Sequence, residues 1–128
     1  MDLLLDTHAL IWWWADDARL SPTARSAMAD PDNRVLVSAA SAWEMATKQR
    51  LGKLAGLPTV PNEFTDQLAR SGFEWLPISG AHALRAGSHS AEHRDPFDRM
   101  LAAQAELENL TLVSCDAALN AFGCRLLW

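Results

Sequence analysis

The chain has 128 residues, two cysteines and a formal net charge of −5; 49% of its residues are hydrophobic and 21% charged. That length and balance suit one globular domain with one core, spanning residues 1–128. No apolar run approaches the ~20 residues that cross a bilayer. The acidic total excludes a broad basic surface for nucleic acid, so a nucleic-acid enzyme of this sign needs a metal ion or a local basic strip.

Leu3 to Leu5 is too short for a signal-peptide core, and Asp2 stands where a positive charge belongs, so the expected compartment is the cytoplasm. Cys115 and Cys124 fit that compartment as reduced thiols, and their spacing matches no zinc motif.

In chain order, the first predicted strand is Leu3 to Leu5, followed by a helix from Thr7 to Ala15. Pro22 to Ala29 follows Ser21, a serine N-cap with proline at the first helical position. Val35 to Ser38 is the second strand. Ala42 to Leu51 is a helix stopped by Gly52, and Pro61 to Arg70 one stopped by Gly72. Glu74 to Ile78 is the third strand, Ala81 to Ala86 a helix, and Ser88 to Pro96 a polar loop. Phe97 to Glu108 is the last long helix, before strands at Leu112 to Ser114 and Arg125 to Leu127. Most strands are short and continuously apolar, which suits a sheet buried on both faces. Strands alternating with helices predict an α/β fold with a parallel sheet covered by helices on both sides.

In open parallel sheets, ligands bind beyond the carboxyl ends of the strands. Four acids fall on that rim. Asp6 ends the first strand, Glu44 opens the helix after the second, Asp98 opens the helix leading to the fourth, and Asp116 follows the fourth. Each also has a capping explanation. Ser41 to Glu44 reads as a capping box, Asp95 to Asp98 as another, and Asp6 and Asp116 as simple caps. Jointly, four crowded carboxylates require protonation or a cation. A helix end offsets only about 0.3–1 kcal/mol. Oxygen-only donors select a hard ion such as Mg²⁺ or Mn²⁺, and such a cup suits phosphoryl chemistry through an activated water. The phosphate-loop pattern GxxxxGK[ST] is absent.

At these residues the chain resembles the PIN-domain ribonucleases, and in particular the VapC toxins of bacterial toxin–antitoxin pairs. The matching pieces are LLLDTHALIW, VSAASAWEMATKQRLGKL, DPFDRMLAAQA and LTLVSCD, in the family's order and nearly end to end. The resemblance implies a three-layer α/β/α domain whose mostly parallel sheet of four to five strands runs in the order 3-2-1-4-5. It implies Mg²⁺- or Mn²⁺-dependent cleavage of RNA leaving 5′-phosphates. Asp6, Glu44 and Asp98 match the family's three central acids, and Asp116 the more variable fourth. Thr7 follows the first acid as the pattern expects, and Ser114 matches a hydroxyl position beside the metal. Asp95 is a further acid in the same run, open to sharing the metal or its waters; Asp98 is preferred because DRMLAAQA aligns with the family's helix start. The resemblance also implies a homodimer and a cognate VapB-type antitoxin that blocks the cup, often with a basic side chain.

Lys48, Arg50 and Lys53 form a cationic run, read either as a solvated helix face or as an RNA-backbone strip beside the cup. Arg94 and Arg99 flank the same rim, placed to hold phosphate or pair with local acids. Trp12, Trp13 and Trp14 are consecutive, and at ~100° per residue they cannot share one face. An interface role is expected for at least one, with stacking on RNA bases as the alternative. Trp43 reads as core packing beside Glu44, and Trp75 and Trp128 as packing against the sheet or a dimer. His8 reads either as approaching the site from the first helix turn or, preferred, as cover for the sheet edge, and His89 and His93 read as loop residues, since imidazole matches Mg²⁺ less well than carboxylate.

Two other functions remain open on the sequence. A haloacid-dehalogenase-like phosphatase also places aspartate after its first strand, but wants a second one where His8 stands. A non-catalytic module would use the acid cup to bind a basic partner.

Overall fold

The computed structural model describes residues 1–54 and 63–128. Five strands form one sheet, β1 (Asp2–Leu5), β2 (Arg34–Ser38), β3 (Glu74–Leu76), β4 (Thr111–Val113) and β5 (Leu126–Leu127), in the order β3-β2-β1-β4-β5. Every pairing is parallel. The helices are α1 (Thr7–Trp14), α2 (Pro22–Ala29), α3 (Ala39–Arg50), α4 (Phe64–Arg70), α5 (Gly80–Ser88) and α6 (Pro96–Leu107), with a short 3-10 helix at Ala117–Phe122.

The central strand explains the layers. Leu3, Leu4 and Leu5 are all fully buried, as a strand covered on both faces requires. Side chains alternate between the faces. Leu3 and Leu5 join Val35, Val37 and Val113 in one cluster with Leu10, Met28 and Leu68 from α1, α2 and α4. Leu4, between Leu36 and Leu112, joins the other cluster with Leu101 and Ala105 of α6 and Leu119 of the 3-10 helix.

Several boundaries differ from expectation. Helix α3 starts three residues early, because Ser38 is its N-cap and accepts from the Ala40 amide at 3.0 Å. Ser41 is therefore inside the helix, and the Ser41–Glu44 capping box does not exist. The third strand ends at Leu76, just before Pro77, which has no amide hydrogen for a further ladder bond. The expected start of α4 at Pro61 lies outside the described residues; the helix begins at Phe64. Helix α5 is longer than expected, opened by a capping box between Ser79 and His82.

Trp43 is a clear correction. It is 62% exposed rather than core, touching Phe97 edge-on at 4.8 Å between ring centroids. Trp12, Trp13 and Trp14 are each half-buried with partners in their own chain. Trp12 meets Trp128 and Trp13 meets Phe73. Trp14 meets Phe64 and donates Nε1–H to Ser71 Oγ at 2.9 Å. Trp75 stacks on Phe64.

Arg99 has no acid partner among the described residues. Its guanidinium donates to the backbone carbonyls of Ala86, His89, Ala91 and His93 at 2.7–2.8 Å. One planar cation thus gathers the end of α5 and the loop after it, supplying donors that this loop lacks in regular structure. Lysine offers no fork of donors for four carbonyls. Arg99→Lys is expected to lower the unfolding free energy by about 2 kcal/mol, measured by urea denaturation.

Candidate active site

Beyond the carboxyl ends of β1, β2 and β4 lies a cavity of about 190 Å³ lined by Asp6, Thr7, His8, Glu44, Lys48, Asp95, Asp98, Cys115 and Asp116. The four acids singled out in the sequence share it, and Asp95 joins them.

Each acid is positioned by its local fold. Asp6 is both the residue after the central strand and the N-cap of α1. Its backbone amide continues the ladder to the Val113 carbonyl at 3.1 Å, and its Oδ1 accepts from the Ala9 amide at 2.8 Å. The carboxylate is nearly buried. Burial pushes its pKa up, against the lowering effects of the Ser114 hydroxyl, the Ala9 amide and the His8 charge. The Asp98 charge adds to the rise. Asp98 lies in the first turn of α6, and burial again is the main cause that raises its pKa. His93 opposes this by hydrogen bonding, with Nε2 2.9 Å from Asp98 Oδ2, while the Asp95 and Asp116 charges add to it.

Glu44 sits in the second turn of α3, not the first, and pairs with Lys48 Nζ at 2.9 Å. Asp95 caps α6, accepting from the Phe97 and Asp98 amides at 2.9 and 3.2 Å. Asp116 caps the 3-10 helix through the Ala118 amide at 2.9 Å. The capping readings of Asp6, Asp95 and Asp116 and their common cavity therefore hold together: helix N-termini place these acids there. Asp98 instead bonds His93, where a capping box would have it reach back to the Asp95 amide.

The two hydroxyls have defined roles. The Ser114 hydroxyl lowers the pKa of the neighbouring Asp6 carboxyl and accepts from the Asp116 amide at 3.0 Å. Thr7 donates to Ser41 Oγ at 3.1 Å, joining the start of α1 to α3. Of the cationic candidates, only Lys48 lines the cavity. Arg50, Lys53 and Arg94 are exposed, and none has an ion-pair partner among the described residues.

Three further neighbours complete the surroundings, and His8 borders the cavity, the less favoured of its two sequence readings. His93 orients Asp98; the Arg99 clasp on its loop supplies the cause, and no spacing in the sequence signals it. Cys115 is an exposed lining residue whose thiol is pushed up by partial desolvation and the Asp6 charge. Both cysteines are free, as expected.

Chemically, the cup offers five carboxylates and one ammonium. Among the described residues no three histidine, cysteine, aspartate or glutamate side chains form a ready ligand set; Glu44 is held by Lys48 and Asp98 by His93. The five carboxylates nonetheless bring only oxygen donors, and burial already disfavours the charge of Asp6 and Asp98. That donor set fits a hard divalent cation.

A family model described as PIN domain matches residues 3–123. Ribonuclease VapC16 of Mycobacterium tuberculosis is 40% identical over 73 residues, 55% of this chain and 52% of that protein, so the chain spans about half the length of this curated relative. Among solved structures, VapBC2 from Rickettsia felis bound to a promoter DNA fragment superposes with a TM-score of 0.72 at 16% identity, covering 99% of this chain and 98% of that one. FitAcB from Neisseria gonorrhoeae superposes with a TM-score of 0.68 at 20% identity, covering 98% and 96%. The likeness to the solved structures is one of fold, and it has the strand order found here. With the family model spanning nearly its whole length, the chain belongs to the PIN-domain family.

Proposed function

We propose that this protein is a divalent-metal-dependent endoribonuclease and the toxin of a VapBC-type pair. The observation that carries the reading is the cavity in which Asp6, Glu44, Asp98 and Asp116 meet at the carboxyl edge of the sheet. Family membership and the partial match to a ribonuclease support it.

Asp6, Glu44, Asp98 and Asp116 would hold Mg²⁺ or Mn²⁺. When bound, such an ion supplies positive charge for a phosphate oxygen and lowers the pKa of a water. The chain's own groups prepare that site. The Ala9 amide fixes Asp6, the Ala118 amide fixes Asp116, and His93 aims Asp98. Water attacks phosphorus and the 3′-oxygen leaves, giving the 5′-phosphate end. Lys48 is the lysine that lines the cup and would meet the RNA phosphate there, and exposed Arg50, Lys53 and Arg94 would extend a strip for the RNA backbone.

Antitoxin VapB-type binding would block the cup. A second copy of the chain is proposed on another surface, an apolar groove of about 200 Å³ whose lining includes Trp43, Ile78, Pro96, Phe97 and Met100. It replaces Trp12–Trp14 as the interface because those three indoles already have in-chain partners, whereas Trp43 and Ile78 are exposed. The cytoplasm is the proposed compartment.

Asp6→Asn keeps a good N-cap, so its far-UV circular dichroism is expected to match wild type. Its Mg²⁺-dependent cleavage of a 5′-labelled RNA is expected to fall by on the order of a hundredfold or more. Cleavage at the wild-type rate would contradict the assignment. For metal, the sign follows from burial. A carboxyl whose folded-state pKa is raised contributes stability below its unfolded value and loses it as pH rises through the folded value. At neutral pH the ionised Asp6 and Asp98 therefore destabilise the metal-free fold. Mn²⁺ is expected to raise Tm at neutral pH, by an amount that shrinks on acidification beginning above the ordinary aspartate range, and that is mostly lost in Asp6→Asn. Differential scanning fluorimetry across pH checks this. For the dimer, Trp43→Glu is expected to shift the species seen by light scattering after gel filtration from dimer to monomer.

A further inference from the structure

Of the three cations in and just after α3, Lys48 alone faces the cup; Arg50 and Lys53 are exposed and outside it. Lys48 stands one turn beyond Glu44, and its Nζ lies 2.9 Å from Glu44 Oε2. The Glu44 side chain is 12% exposed and that of Lys48 29%. A glutamate–lysine pair in open solvent stabilises a helix little. This one is instead set in a cavity with four further carboxylates and no other lysine or arginine on its lining. The ammonium is thus the cup's internal counter-ion, bonded to one of the oxygens a divalent cation would need.

An ammonium and a dication cannot share that place without strong repulsion. Lysine's flexible stem lets its charge move away while the glutamate stays. We propose that Lys48 guards the metal-free cup by holding Glu44, releases it when a divalent cation binds, and then contacts a non-bridging oxygen of the RNA phosphate. The proposal rests on the ribonuclease reading above. It adds that one side chain of this protein opposes metal binding and favours substrate binding, so that the site is completed only when both are present.

The test titrates Mn²⁺ calorimetrically into wild type, Lys48→Met, Lys48→Arg and Asp6→Asn at fixed ionic strength, and measures kcat and KM for RNA cleavage. Methionine keeps the helix propensity and the length of the stem without the charge. Lys48→Met is expected to bind Mn²⁺ on the order of tenfold tighter, the factor that a unit charge about 6 Å from a divalent ion represents at the dielectric of water. Its KM for RNA is expected to rise, and its salt dependence to flatten by about one phosphate contact. Lys48→Arg is expected to stay near wild type in both. Unchanged or weaker Mn²⁺ binding in Lys48→Met would overturn the guarding role, and an unchanged KM would overturn the phosphate contact. Either failure leaves the nuclease reading standing if wild type binds Mn²⁺ and Asp6→Asn does not. Absence of Mn²⁺ binding to wild type would remove both.

Discussion

A carboxylate at the end of the fully buried central strand is the constraint around which this molecule is arranged. Strand β1 lies between β2 and β4, so whatever follows Leu5 emerges in the middle of the sheet rim with neighbours on both sides. Asp6 extends the ladder by its amide and caps α1 by its side chain. Those bonds and the Ser114 hydroxyl do not outweigh burial, and its carboxyl remains raised. The same parallel order brings the start of α3 and the turn after β4 to that rim. Asp116 and Asp95 arrive there as helix caps and Asp98 in a first turn, where acids are accepted, while Glu44 comes from the second turn of α3 with Lys48 beside it. Local rules favour most of the acids singly, while their sum is a concentration of negative charge that protonation or a cation offsets.

Much of this was legible in the residues. The continuously apolar strands and the proline-marked helix start at Pro22 announce themselves by composition. The acids at strand ends and helix starts follow from the topology rule for parallel sheets. The exact start of α3 was less accessible, because Ser38 and Ser41 are the same residue type three positions apart and both suit an N-cap. The strand decides between them: the chain leaves β2 at Ser38, whose buried hydroxyl takes the Ala40 amide.

Trp43 shows what periodicity adds to residue type. Tryptophan suggests core, yet Met45 is fully buried, and residues two apart on a helix point roughly 200° apart. With Ser41 and Met45 facing inward, Trp43 faces outward. The three consecutive tryptophans show the reverse. Periodicity separates them, but α1 is flanked on several sides, by Trp128, by Phe73, and by Phe64 with Ser71. Those contacts join distant parts of the chain and have no local signature. The same holds for Arg99, whose role depends on the directions of four carbonyls in an irregular loop.

The cup and the apolar groove are two sides of the same pair of helices. Trp43 precedes Glu44 on α3, and Phe97 precedes Asp98 on α6; the aromatics meet in the groove while the acids line the cup. The separation of Glu44 from Asp98 is therefore set by how α3 packs on α6, and the Trp43–Phe97 contact is part of that packing. One helix pair thus sets both the aromatic contact in the groove and the placing of two acids in the cup.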